Sequence, residues 1–380
     1  MFGLLMAGCL TGLWWWLLPA VETPSTAGGL RHPFFQDGAS GAGEHSFSEK
    51  TRGRLERLRN LPRTTPSEKS KWSLAIAEFA RDFGGRAVPF LREFLTDLDW
   101  EVRGAALRAL AVTGTAEARD LLQEYVKDGI QTEDAAQAAV GLGMMEDPAI
   151  TPFLIGRFPQ IQNSDVRRAV LDSLAGRSYA ETAGFFQAYL RDPRPSPEEK
   201  GEVIAALGFH QAAPAETLVP WVADPREEIR EGAYEALAAR REGNYGQMLL
   251  GRARDEVEPS LRQKAYEAAG SQKDTLPAQM AEVVRREPDP ATRLRAERAW
   301  AMTVGRSANP EDRRKFDAEA VPRLVVEALK NSDPGEQRAA LQALALAGTA
   351  QAKAGLIEIS QSSTSPRLAK LAQALAKKLP

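Results

Sequence analysis

The 380-residue sequence predicts an all-α fold, an α-solenoid of about nine to ten stacked antiparallel helix pairs with a period of about 32 residues. Three observations predict it. The phrase "AALRALAVTGTAEA" (105–118) returns as "AALQALALAGTAQA" (339–352), ten of fourteen letters identical at a separation of 234 residues. A small residue followed by a large one recurs at Ala106-Leu107, Val170-Leu171, Ala233-Tyr234, Ala265-Tyr266, Ala299-Trp300 and Ala340-Leu341, in steps of 64, 63, 32, 34 and 41. The two long steps hide copies near Ala138 and Val203. Prolines recur at Pro193, Pro225, Pro259, Pro290, Pro334 and Pro366, in steps of 32, 34, 31, 44 and 32. Both series place one longer step between Trp300 and Pro334, so two residue types report one repeat.

In chain order, residues 1–21 read as a signal peptide or membrane anchor. The stretch "FGLLMAGCLTGLWWWLLPAV" (2–21) carries no charge, and a helix of that length at about 1.5 Å per residue spans about 30 Å of hydrocarbon. Three readings stand: an anchor with Trp14, Trp15 and Trp16 at one interface, a cleaved signal with Ser25 and Ala27 before the cut, and a lipoprotein, because "LMAGC" resembles a bacterial lipobox ending at Cys9. All three predict a membrane-anchored or exported chain with an extracytoplasmic body, periplasmic or in the cell envelope if bacterial. Residues 22–47, rich in Gly, Ser, Pro and Thr, read as a flexible linker. Residues 48–66 form a basic helical lead-in, and the repeats occupy 67–380.

Each proline is expected at the start of a helix, where no backbone donor is needed. Asp224/Glu227, Ser196/Glu199 and Asp333/Glu336 have the spacing of capping boxes, which explains the paired acids Glu198-Glu199 and Glu227-Glu228 without acid/base catalysis. In the helix from Trp100, the residues Val102, Ala106, Leu107 and Leu110 make one buried stripe. Leu121, Leu122, Tyr125 and Val126 belong to the next helix, after a turn at Gly114. A two-helix unit of this size cannot bury its apolar faces alone and must stack. The long step predicts an insertion, "VGRSANPEDRRKFD" (304–317), as an exposed loop or short extra helix; deleting Ser307 to Arg314 within it is expected to leave stability nearly unchanged.

With this unit in view, "LREFLTDLDWEVRGAALRALAVTGTAEARDLLQEYV" resembles the HEAT repeat, in the short HEAT-like form of the phycobilisome-lyase type. Asp99, Val102-Arg103, Ala106-Leu107 and Gly114 carry the resemblance, and weaker copies run through Val166-Arg167, Ile229-Arg230 and Leu261-Arg262. For the column Arg103, Arg167, Arg230 and Arg262 the resemblance implies ties to turn aspartates and the neighbouring repeat, against an alternative reading as an anion-binding ladder. Tyr234, Tyr266 and Trp300 stand in the slot of Leu107, Leu171 and Leu341, which favours core packing over a base-stacking platform.

Catalytic, cofactor-binding and metal-binding residues are expected to be none. Cys9 is the only cysteine, and the three histidines are scattered. The resemblance admits a di-iron hydroxylase with paired His-Glu ligands, but His210 is followed by Gln211. A net charge of −2 argues against a dedicated nucleic-acid binder. The sequence therefore predicts a non-catalytic protein-binding scaffold, attached to a membrane through residues 2–21. The alternatives are a cofactor-protein lyase or chaperone of the HEAT-like type, and nucleic-acid binding through residues 291–380, which hold 15 Lys or Arg against 9 Asp or Glu. If the Ala-Leu centres face the core, residues two before and two after the small one face solvent. These are Glu231 and Glu235, Gln263 and Glu267, then Glu297: an acidic stripe for a protein partner with a basic or mixed polar surface. Residues 196–258, with 13 acids against 7 bases, agree with it.

Overall fold

The computed structural model describes residues 53–128, 133–210, 212–240 and 243–379. After a helical stretch over 53–60 come α1 (Pro66–Phe83), α2 (Val88–Glu93), α3 (Trp100–Val112), α4 (Ala116–Asp128), α5 (Glu133–Met144), α6 (Ile150–Arg157), α7 (Ser164–Ala175), α8 (Tyr179–Arg191), α9 (Pro197–Phe209) and α10 (Glu227–Ala239). The remainder are α11 (Gly246–Asp255), α12 (Pro259–Ser271), α13 (Pro277–Arg286), α14 (Pro290–Arg306), α15 (Pro310–Glu319), α16 (Val321–Lys330), α17 (Pro334–Ala347), α18 (Ala350–Ser362) and α19 (Pro366–Lys378). No strand occurs among the described residues. The body from Arg54 onward is an all-α solenoid in two layers.

The duplicated phrase folds the same way twice. Gly114 (φ 66°) and Gly348 (φ 62°) both take the left-handed turn that ends the first helix. Thr115 Oγ1 then accepts from Ala118 N, and Thr349 Oγ1 from Ala352 N, so the same side chain caps the second helix in both copies. Helices α1, α3, α5, α7, α9, α10, α12, α14, α17 and α19 pack side by side as a ladder. Behind them α2, α4, α6, α8, α11, α13, α16 and α18 each pack on the ladder helix that follows. All six small-large centres are buried, as are Ala138 and Val203.

The ladder is tight because its contact positions are small. A Cβ at Gly270 would stand 2.7 Å from Ala299 Cβ, and one at Gly305 would stand 2.3 Å from the Leu346 carbonyl oxygen. Between α9 and α10 the back layer thins to the 3₁₀ turns Ala215–Thr217 and Val219–Ala223, where Pro214 and Pro220 break any α-helix. The two ladder helices meet directly there.

Four of the six prolines stand in a helical first turn: Pro259, Pro290, Pro334 and Pro366. Pro193 and Pro225 precede their helices, and the Asp224 carboxylate accepts from Arg226 N (3.0 Å) in the turn itself. Of the three expected capping boxes, only Ser196/Glu199 closes in both directions; Asp333 accepts from Gly335 N, while Glu336 turns to Asn331. A box at Thr65/Glu68 was not foreseen.

The long step is an extra helix, α15, but it is not a surface ornament. Phe316 is fully buried, with its ring centroid 5.0 Å from that of Trp300 in an edge-on contact. Its neighbour Asp317 accepts from Thr349 Oγ1. At the amino end, Leu55 and Leu58 are buried and the Trp72 indole donates to the Leu58 carbonyl (3.0 Å), so this part of the lead-in is packed onto α1.

The leader and linker (1–21 and 22–47) lie outside the described residues. The expectation of a membrane-anchored or exported chain is corrected: no helix among the described residues is long and apolar enough to cross a membrane, and nothing described supports anchoring through residues 2–21.

Candidate interaction face

Ladder helices α3, α7, α10 and α12 repeat one register: an arginine at the fourth residue, a small residue at the seventh and a larger one at the eighth. The cation is a structural tie. Arg230 donates to the Asp224 and Pro225 carbonyls (3.0 and 3.1 Å) and reaches both carboxylate oxygens of Glu256 (2.7 and 2.9 Å). Arg262 repeats this on the Glu256 and Val257 carbonyls and on Glu287. Arg103 does so on the Asp97 and Leu98 carbonyls and Asp134, and Arg167 on the Ile161 carbonyl, Tyr189 and Glu199. The turn thus contributes main-chain oxygens rather than aspartate carboxylates. Committed to these partners, the column is not an anion ladder.

Tyr234, Tyr266 and Trp300 are buried core residues. The Tyr234 and Tyr266 hydroxyls donate to Glu256 (2.7 Å) and Glu287 (3.1 Å). Burial pushes the Tyr234 phenol well above its ordinary range and Tyr266 up to about 12. Glu256 responds the other way: burial opposes its charge, but Arg230 and Tyr234 outweigh burial and hold its pKa below the usual glutamate value.

A second series, missed in the sequence, closes the opposite ends of the ladder helices. Arg177 donates to the Leu142 and Met145 carbonyls (both 2.5 Å), Arg240 to those of Leu207 and His210, Gln272 to Leu237 and Arg240, and Arg306 to Gly270 and Gln272. Each side chain caps the carboxyl end of the preceding ladder helix, where cations and donors are favoured. The signal was an Arg or Gln seven residues past the small residue of four pairs, those at Val170, Ala233, Ala265 and Ala299. His210 belongs to this structural set. It is buried, its Nε2 stands 2.9 Å from Thr182 Oγ1, and burial followed by Arg240 lowers its pKa.

The structure brings Glu231, Glu235 and Glu267 to one partly exposed side of the ladder. They do not form a purely acidic stripe. Lys264 bridges Glu231 (2.5 Å) and Glu235, and Arg298 pairs with Glu267 (2.6 Å). Gln263 donates to Thr292 (3.2 Å). Burial opposes the Lys264 charge, but Glu235 and Glu231 reverse the effect and its pKa rises.

Glu297 is corrected. It is a core residue, 5% exposed, rather than a member of the solvent-facing row. Arg293 explains why: it donates to the Glu287 and Pro288 carbonyls six and five residues back, as Arg262 does to Glu256 and Val257. The centre of α14 is therefore Ala296-Glu297, about one helical turn before Ala299-Trp300, and Glu297 occupies the slot of Tyr234 and Tyr266. Arg323 Nη2 stands 2.7 Å from its carboxylate.

In the corrected register the ninth position holds Arg108 (α3), Asp172 (α7), Glu235 (α10), Glu267 (α12) and Arg298 (α14), with Gly141 of α5 and the buried Ala205 of α9 standing between charged members. Asp172 is 54% exposed at its side chain, yet desolvation raises its pKa against the opposing Arg168. Desolvation likewise lowers the pKa of Arg108. The row is of mixed sign, with Asp172, Glu235 and Glu267 between Arg108 and Arg298. Among the described residues, no group of three or more His, Cys, Asp or Glu side chains is placed to hold a metal ion.

Residues 56–139 match the family model for HEAT repeats. No curated protein matches the chain.

Proposed function

We propose that this HEAT-repeat protein is a binding scaffold whose partner lies along the ninth-position row and presents a mixed polar surface, acidic toward Arg108 and Arg298 and basic toward Asp172, Glu235 and Glu267. HEAT repeats commonly mediate protein–protein interaction, and proteins built from them are in general non-catalytic scaffolds. The observation that carries the finer reading is the run of partly exposed charges on neighbouring ladder helices, in which Lys264 bridges Glu231 and Glu235 and Arg298 pairs with Glu267. Partly buried carboxylates couple more strongly to an incoming charge than fully exposed ones. Pairing with Lys264 and Arg298 keeps the row near neutral until a partner exchanges those contacts, so the association rate falls with added salt.

A photo-crosslinking residue at Asp172 or Glu267 in the full chain tests this, with Glu282 on the back-layer helix α13 as the comparison site. Partner adducts are expected from the ladder positions. Adducts from Glu282 alone would place the partner on the other layer and end this reading.

A further inference from the structure

We infer that the groove between α18 and α19 is a second docking site, and that its occupant is an acidic amphipathic helix. The groove encloses about 540 Å³ and is lined along α18 by Lys353, Ile357, Ser360 and Gln361. These positions recur at steps of four, three and one, a single helical face. The wall from α19 is Ala369, Lys370, Gln373, Ala376 and Lys377, again one face. Two packed helices with a shallow valley between them offer ridges and grooves for a third helix.

Its chemistry selects the occupant. Three lysines line the valley and no acid does. Lys370 and Lys377 are exposed, and Lys353 donates to the Leu379 carbonyl (2.9 Å), which fixes its charge at one wall. Ile357 is 42% exposed, a large apolar side chain at the surface, with Ala369 and Ala376 opposite. Apolar residues between lysines match a helix with leucines on one face and carboxylates flanking them. Nucleic acid fits less well, because the lining has neither an arginine to fork onto phosphate nor an aromatic ring for a base. None of the lining residues belongs to the ladder row, so this site stands apart from the partner face proposed above.

The test uses the full chain and a fluorescein-labelled helical peptide of roughly fifteen residues, long enough to follow α18, with leucines on one face and glutamates beside them. Anisotropy should show saturable binding that weakens with salt. Lys370→Glu/Lys377→Glu should reduce affinity at least tenfold and Ile357→Ser severalfold, while crosslinking at Glu267 stays unchanged. A peptide with lysines in place of the glutamates should gain affinity for the double variant. Absence of saturable binding, equal affinity for the double variant, or tighter binding of a single-stranded oligonucleotide of similar length would overturn the assignment.

Discussion

Gly232 in α10 sits against the carbonyl of Gly201 in α9: a Cβ at Gly232 would lie 2.2 Å from that oxygen, and one at Gly201 would lie 2.3 Å from the Glu228 carbonyl oxygen. Both obstacles are backbone, which cannot rotate aside. Helix propensity alone would reward Gly→Ala by about 0.5–1 kcal/mol, but separating two packed helices costs about 1–3 kcal/mol or more. Gly232→Ala should therefore lower the melting temperature. Gly251→Ala, with nothing within 4 Å, should hold or raise it. Thermal unfolding followed by circular dichroism reads both signs.

The Arg230–Glu256 tie joins successive ladder units, with Glu256 only 6% exposed at its side chain. Arg230→Ala leaves a buried carboxylate without its cation, a loss of roughly 3–5 kcal/mol. Arg194→Ala removes a pair with Asp192 that is no longer than this one but whose arginine lies in solvent, and should not move the transition measurably. Parallel denaturant titrations of the two variants make the comparison.

Burial first, with Glu327 adding to it and Arg323 and Arg293 opposing, pushes the Glu297 carboxyl up to about 7 from an ordinary value of 4.5. Because the folded-state value is the higher one, neutral Glu297 favours the fold. That contribution is complete below about pH 4.5 and is lost as pH rises through about 7. Glu297→Gln should match the parent at pH 5 and exceed its stability at pH 8 by roughly 1–3 kcal/mol. Melting temperatures measured against pH would show the parent's slope flattened in the variant; parallel curves would mean that Glu297 is charged throughout.

Phe316 changes what the long step means for stability. Phe316→Ala should cost about 3–5 kcal/mol by opening a cavity beside Trp300. Deleting 307–314, which removes the start of α15, should lower the melting temperature rather than leave it unchanged. Calorimetry of both variants checks this.

The repeat was legible because Ala233-Tyr234 and Ala265-Tyr266 obey a period that packing imposes on every copy. Glu297 was not, because the bulky Trp300 lies about one helical turn from the true centre, and only the hydrogen bonds of Arg293 reveal the shift. Glu231, Glu235 and Glu267 were legible as one face because spacing fixes direction along a helix. Their pairing with Lys264 and Arg298 depends on how neighbouring helices are staggered, a relationship between units that no single helix encodes. The α18–α19 groove escaped notice for the same reason: its lysines are some seven to twenty-four residues apart and meet only after the helices pack.

The thin back layer between α9 and α10 has a mechanical consequence. Elsewhere the array resembles a laminated beam, with two helical plies sharing any load. At residues 215–223 one ply is reduced to 3₁₀ turns while the other is locked backbone to backbone at Gly201 and Gly232. Flexure therefore has an asymmetric pivot there: the ladder ply acts as the fixed fulcrum, and strain gathers in the weaker ply behind it. Force applied to the two ends of the body would therefore bend the array here by opening the back layer, while α9 and α10, the most closely packed pair of ladder helices, stay together.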